Sequence, residues 1–367
     1  MNIGIISPAN PHKGLHRDAE LIAWALDEGG HNSVEIFHLD NIRADVVSIE
    51  SSNSGDPSKW SISGGVFLDL WLHKLDILFL SEVLNIALIE KIVPVVKVVY
   101  IPNLEWTILK GEDGEVSSWI NSVREYIPKG LTVLAKTETA GKVLEQHDIN
   151  CTVVDWSVPD KIRKKKRIPS KKGQIRVLMN AGLGGWKSRR GVDVMVDAIN
   201  SMPEGHSYKF ILKTIKPWTE YKLGEFPDNV ELVEGFVSRK EMDKLVNSAD
   251  LIIYPSRFEG FGLSQLEALH KGIPVMCTDG WPMNELQTIN DSRLLIRPSS
   301  MSPLRLAWSF EPSPESIVSN LLELSGENPC VTFPTVEVTK GLRAKQQNFV
   351  SQLSDLVFSL VNPEESL

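Results

Sequence analysis

The chain has 367 residues, 42% of them hydrophobic and 23% charged, with a formal net charge of −8 at pH 7. That length supports two domains with buried cores, the composition is that of a globular protein, and no apolar run is long enough to cross a bilayer. The acidic balance argues against a polyanion bound over a large surface. Cys151, Cys277 and Cys330 share no metal-ligand spacing, which argues against structural zinc and suits a reducing, cytoplasmic setting.

The opening MNIGIISPAN reads as a first strand over 3–8 rather than a signal peptide, since no basic segment precedes it and no cleavage site follows. It runs into SPANPHKGLHRD without a GxGxxG, with Gly14 as the one glycine before a helical pattern over 18–31. A dinucleotide-binding dehydrogenase needs glycines where the pyrophosphate meets the helix, so that reading loses support. Gly14 is either a turn glycine or a point where backbone approaches a donor phosphate. Leu21, Ile22, Ala25 and Leu26 give the helix its apolar face, and Gly29 and Gly30 stop it. Strands follow at 34–39, 76–81, 95–102, 131–137 and 151–156, interrupted by a serine-rich stretch, 48–65, that reads as a surface excursion.

The run KIRKKKRIPSKK (161–172), with Pro169 and Gly173, is a basic linker and a domain boundary; a nucleic-acid contact is its lesser reading. Beyond it the alternation begins again: strand 175–182, helix 192–200, strands 208–214 and 229–236, helix 241–249, strands 251–256 and 273–279. Strands separated by helices predict parallel sheets covered on both faces, and two such sheets joined by a linker place a ligand cleft between them. The expected organisation is an N-terminal Rossmann-like domain (1–160), the linker (161–173) and a C-terminal Rossmann-like domain (174–335). A long amphipathic pattern over 339–361, within a last segment 336–367, is expected to pack back across the N-terminal domain.

Two stretches carry chemistry. In NAGLGGWKSRRGVDV, Gly182, Gly184 and Gly185 make a flexible loop, and Lys187, Arg189 and Arg190 place cations beside a helix N-terminus. That suits a diphosphate whose charge grows as a bond to it breaks; an exposed basic loop is the plainer reading. In RFEGFGLSQLEALHKG, Glu259 falls in the loop after a strand and Glu267 one turn inside the next helix. The amides of 260–263 can receive phosphate or sugar oxygens, and a carboxylate at 267 can accept both hydroxyls of a ribose. Equally, Ser264 and Glu267 have the spacing of a capping box. These residues alone leave the two readings level.

The stretch 229–286, with PSR-EGFGL-x-x-LEAL-x-x-G-x-PV around Glu259 and Glu267, resembles the retaining glycosyltransferases of family 4, whose signature is E-x7-E. The likeness is looser over the rest of the C-terminal half, and YIPNLEWT (100–107) and LAKTETA (134–140) resemble a subgroup with PN-x-EW and KT motifs. It implies a GT-B fold, two Rossmann-like domains with parallel sheets facing across a cleft, and metal-independent transfer of a sugar from a nucleoside diphosphate, UDP or GDP, with retention. The absence of an Asp-x-Asp motif agrees, leaving positive side chains and helix N-termini to meet the diphosphate. No bound cofactor is implied, and the acceptor is a glycan, a lipid-linked sugar or a small molecule, in the cytoplasm or at a membrane periphery.

By the same resemblance Glu259, Lys187 and Arg190 are the catalytic candidates. Gly14, Arg189, Lys213, Val237, Gly260, Phe261, Gly262, Leu263 and Glu267 would bind the donor, with GFV (235–237) facing the base and Glu267 holding the ribose. From their place at strand ends and their chemistry, His16, Glu105, Trp106 and Lys136 are read as acceptor-side, beside His12, Arg17 and Thr137; an incidental histidine, a core Trp106 and a solvated Glu105 are the plainer readings. Arg190-Gly191 fits the family's second basic pair, but Gly185 stands where an arginine is usual, which passes the phosphate to Lys187 or Arg189. Two further readings stay open: transfer to a hydroxylated base in nucleic acid, and a non-catalytic nucleotide- or glycan-binding relative.

Overall fold

The structure, a computed structural model, describes residues 1–7, 14–31, 33–38, 72–81, 89, 92–102, 104, 113–159, 174–182, 188–223, 230–287, 291–325 and 335–362. The serine-rich stretch and the basic linker lie outside them. The chain divides into two compact units. One takes in Met1–Pro159, Ala344–Leu367 and Arg305–Ala307; the other takes in Asp160–Leu304 and Trp308–Arg343.

In the first unit six parallel strands, β1 (Ile3–Ser7), β2 (Val34–His38), β3 (Ile77–Ser81), β4 (Lys97–Ile101), β5 (Leu131–Ala135) and β6 (Thr152–Val153), line up as β2-β1-β3-β4-β5-β6. Helices α1 (Gly14–Glu28), α2 (Asp113–Tyr126) and α3 (Glu138–Gln146) lie between them in sequence. Parallel strands need crossovers, and crossovers cover both faces, so the inner strands β1, β3 and β4 are almost continuously apolar, while the edge strand β2 exposes Glu35. Every residue of β3, ILFLS, is buried. The pattern CTVVDW predicts six strand residues where only two pair. Val154 still donates to the carbonyl of Ala135, but Trp156 donates back to Val154 at 2.8 Å and turns the chain. That turn delivers the Trp156 indole N–H to Asp18 on α1 at 3.1 Å.

The second unit repeats the plan with β7 (Ile175–Gly182), β8 (Tyr208–Thr214), β9 (Val230–Val233), β10 (Leu251–Tyr254), β11 (Val275–Thr278) and β12 (Leu295–Ile296). Their order is β12-β11-β10-β7-β8-β9, all parallel. Helix α4 (Val192–Asn200) joins β7 to β8, α5 (Arg239–Ser248) joins β9 to β10, and α6 (Leu263–His270) joins β10 to β11. Strand order reverses between β7 and β10, so the connections leaving these two neighbours run to opposite sides and open a crevice at their carboxyl ends. At the other end of the same pair, the buried Asp250 accepts from the Arg176 amide at 2.9 Å while its own amide donates to the Arg176 carbonyl, fixing the register. Proline 255 ends β10 earlier than LIIYPS predicts, and Gly235, at φ 80°, follows the end of β9.

A hairpin of β13 (Pro298–Leu304) and β14 (Ala307–Pro312), with α7 (Pro314–Glu323) after it, has no counterpart in the sequence reading. Phe310 of β14 packs so closely on Gly280 that a Cβ there would lie 2.5 Å from its ring. Helix α8 (Thr335–Val361) gives its residues from Ala344 onward to the first unit. There Phe349, Leu353 and Val357 are fully buried, and the Phe349 ring meets Trp156 at 4.9 Å and Trp24 at 6.4 Å. Gln352 accepts from the Asp155 amide at 2.8 Å. Emptying this aromatic cluster leaves a cavity that the surrounding strands cannot close. Phe349→Ala is therefore expected to destabilise the first unit by about 3–5 kcal/mol, read as an earlier urea transition than that of the parent chain.

Candidate functional site

The loops leaving β7 and β10 meet at the crevice of the second unit, and each brings charge. After β7, Ser188 at φ 52° and Gly191 at φ 63° bracket Arg189 and Arg190. Glycine is required at 191 twice over: the left-handed backbone disfavours any side chain, and a Cβ would stand 2.0 Å from the Pro255 carbonyl oxygen. This close crossing sets the arginine loop directly over the loop that follows β10. From the latter rises Glu259, only 6% exposed, and both arginines bind it. Arg189 donates to Oε2 at 2.5 Å and Arg190 donates to Oε1, to which the Ser256 hydroxyl also donates at 2.8 Å.

Burial by itself raises the pKa of Glu259, but Arg189, Arg190 and the Ser256 hydroxyl outweigh it and hold the carboxyl below its ordinary 4.5. Burial lowers the pKa of Arg190 against the pull of Glu259, but a guanidinium stays charged under any ordinary condition. The cluster is thus two cations on one anion, packed where water is scarce. Such a cluster can accept a further anion, because one carboxylate cannot neutralise two guanidiniums.

Tyr254, the last residue of β10, completes the floor. Burial raises its pKa, and it feels Arg190, Glu267 and Glu259 and bonds with Ser264. Glu267 therefore belongs to the same neighbourhood, as the fifth of the eight residues of α6. The helix begins at Leu263, with Gly262 as its N-cap at φ 96° and no side chain capping it. Ser264 is consequently inside the helix and Glu267 lies past its first turn, so the capping box expected of this pair does not form. A true capping box is built instead at α5, where Ser238 and Glu241 bond reciprocally. Phe261 is buried, and Gly260 lies between it and Glu259.

One strand over, Lys213 sits at the end of β8, opposite Asn180 of β7. It is 2% exposed, and its ammonium donates to the carbonyls of Thr214, at 2.7 Å, and of Gly235. Burial lowers its pKa. The lysine thereby ties β8 to the turn after β9, where Phe236 is 82% exposed beside Val237.

In the first unit Gly14 opens α1 and His16 follows in its first turn. Arg17 pairs with Glu20 at 2.7 Å. Lys136 is buried, bonded to Asp18 at 2.8 Å and placed 5.1 Å from the centre of the Trp156 ring; Thr137 caps α3, accepting from the Ala140 amide. Both residues of the KT motif have structural work within this unit. Lys187, Gly184, Gly185, His12, Glu105 and Trp106 lie outside the described residues. The sequence reading missed Ser256, Tyr254 and Arg257. Tyr254 ends β10 and Ser256 stands three residues before Glu259, which is the signal that could have found them; the partners of Arg257 are distant in sequence. Among the described residues no helix is long and apolar enough to cross a membrane, and no three His, Cys, Asp or Glu side chains group as metal ligands.

Two Rossmann-like parallel units, one with a cationic cluster at its switch point, define the class of α/β fold. Comparison with known proteins narrows it. Residues 160–308 match the family described as Glycosyl transferases group 1. Over 175 residues, 42% of this chain and 46% of the relative, the sequence is 27% identical to the lipopolysaccharide glucosyltransferase WaaG of Escherichia coli (strain K12). The chain spans less than half the length of the curated relatives it matches first. Among solved structures, sucrose-phosphate synthase from Thermosynechococcus elongatus superposes with a TM-score of 0.67 at 14% identity, covering 98% of this chain and 99% of that one. Trehalose-6-phosphate from E. coli bound with UDP-2-fluoro glucose gives 0.59 at 11% identity, over 98% and 99%. At these identities the likeness is one of fold, and that fold is GT-B.

Two outcomes follow from this geometry. A carboxyl whose pKa is depressed on folding stabilises the folded state above its unfolded pKa of 4.5 and loses that contribution as pH falls through the lower folded value. The gap in melting temperature between the parent and Glu259→Gln should therefore hold steady from about pH 8 to about pH 5 and narrow below about pH 4.5, as thermal melts across that range would show. Gly191→Ala should cost about 2–3 kcal/mol or more, measured by denaturation, because the Pro255 backbone must move.

Proposed function

We propose that the chain is a glycosyltransferase that moves a sugar from a nucleoside-diphosphate donor to an acceptor hydroxyl, with retention of anomeric configuration and without a metal ion. The observation that carries this reading is the buried Glu259 shared by Arg189 and Arg190 at the switch point of the second unit, inside the segment matched to Glycosyl transferases group 1. A nucleoside diphosphate gains negative charge as the glycosidic bond breaks, and two preorganised guanidiniums stabilise that charge at no cost in reorganisation. Lys187 adds to them, and the uncapped amides at Gly262 and Leu263 add the positive end of α6. Such a cationic frame is the role a divalent ion would otherwise fill.

An ionised Glu259 has no proton to give. Its part is to hold the two arginines together against their mutual repulsion and to accept hydrogen bonds from donor-sugar hydroxyls, with Gly260 and Phe261 beside it. Glu267 accepts the ribose diol, as the E-x7-E resemblance implies. Val237 and Lys213 frame the base. Retention rests on the E-x7-E resemblance carried by Glu259 and Glu267. UDP is favoured over GDP by the neighbour bound with UDP-2-fluoro glucose, and a hexose passed to a glycan or lipid-linked acceptor by the lipopolysaccharide glucosyltransferase among the relatives. Gly14, His16, Glu105 and Trp106 are assigned roles toward donor and acceptor, at the cytoplasmic side of a membrane or in the cytoplasm, whereas Lys136 is bonded to Asp18 and is not given one.

A panel of UDP- and GDP-sugars, scored for hydrolysis and transfer by the purified chain, tests this directly. Glu267→Ala should lower turnover of the preferred donor by about 100-fold with little change in melting temperature. Equal rates would remove the ribose role, and binding without turnover of any donor would leave a non-catalytic relative.

A further inference from the structure

We propose that Arg257 is a positioning residue: it fixes the Arg189–Arg190 pair over Glu259 from outside the anion site and makes the hairpin strand β14 part of that site's frame. A guanidinium carries five N–H donors in a planar fork, and here all five are engaged. Nε donates to Glu311 at 2.7 Å and Nη2 to the other oxygen of Glu311 at 2.6 Å. Asp193, in the first turn of α4, receives a second pair of bonds from Nη1 and Nη2, at 2.9 and 2.7 Å. The last donor, on Nη1, goes to the Ser188 carbonyl at 2.8 Å. Nothing remains for a ligand, so the side chain acts through what it holds.

What it holds is the arginine loop. The Arg257 amide donates to the Arg189 carbonyl at 2.7 Å, and the Arg257 carbonyl accepts from the Phe310 amide of β14 at 2.8 Å. The carbonyls of Ser188 and Arg189 are thus both pinned by one residue, two positions before Glu259. Pinning is needed, because Ser188, a residue with a side chain, sits in the left-handed region at φ 52°, and the two arginines after it repel each other. A backbone in that region persists only where its surroundings over-determine it. Asp193 and Glu311 in turn neutralise Arg257, so the clamp adds no net positive charge to the cluster it supports. A lysine would offer three donors from a single point and could not bridge two carboxylates and a carbonyl at once.

This inference rests on the reading of Arg189 and Arg190 as the diphosphate site, and its test separates the two. Amide hydrogen exchange of the ligand-free full chain reports the clamp; calorimetric titration with UDP and with GDP reports the site. In Arg257→Gln, exchange at 188–191 should quicken by about tenfold while strands β7, β8 and β10 stay protected. Nucleotide Kd should rise about tenfold alongside, with any measurable kcat falling by a comparable factor because the same arginines meet the charge that develops on the leaving diphosphate. Arg257→Lys should fall between parent and Gln. Glu311→Gln, whose side chain is 42% exposed and which removes one arm of the clamp, should show the same changes at smaller size and serves if Arg257→Gln fails to fold. Unchanged exchange at 188–191 in the folded variants would overturn the proposal, as would faster exchange with unaltered nucleotide affinity. If the parent binds neither UDP nor GDP while exchange still quickens, the clamp stands and the nucleotide-sugar reading falls.

Discussion

One carboxylate between two guanidiniums organises the carboxyl edge of the second unit's sheet. Glu259 is too buried to be charged alone, and Arg189 and Arg190 are too close to each other to sit comfortably without it. Each therefore depends on the others, and the arrangement survives because their loops are held by the backbone rather than by the charges. Gly191 passes against Pro255 with no room for a side chain, and Arg257 ties the loop carbonyls down. The site is rigid before any ligand arrives, which is the condition under which electrostatic stabilisation is most effective.

The first unit solves a different problem with similar parts. Its buried ion pair, Lys136 with Asp18, is fully used by its neighbours: the Trp156 indole donates to the second Asp18 oxygen and lies beside the lysine. Phe349 of α8 packs on the same Trp156 ring at 4.9 Å. A charged residue at a strand's carboxyl edge is thus not by itself a ligand residue. The contrast with Arg189 and Arg190 lies in stoichiometry, one anion per cation in the first unit and one anion for two cations in the second.

Much of the sheet architecture could be read from the residues. Apolar runs such as ILFLS and LIIY can only be strands covered on both faces, and the alternation with helices made the sheets parallel. Less visible were the elements whose sequence is polar or whose apolar residues meet distant partners. The β13–β14 hairpin, PSSMSPL and AWSFEP, shows no alternation; it is anchored by Phe310 on Gly280 and by Glu311 on Arg257, contacts that join positions 30 to 54 residues apart. The capping box at Ser264 was a fair reading of local spacing, but Gly262 at positive φ starts the helix earlier and puts Ser264 inside it.

Sequence alone determined the two-unit parallel α/β plan, the loop where cations gather after β7, and the pair of glutamates eight positions apart. These follow from local pattern: burial periodicity, glycine where backbone must turn, charge beside a helix N-terminus. Only the tertiary structure decided that Arg189 and Arg190 share Glu259, that Lys136 is bonded to Asp18, and that Arg257 spends its donors on Asp193, Glu311 and the Ser188 carbonyl. Each of those facts is a pairing across the fold, and pairing of charges depends on distance and burial, which no linear spacing encodes.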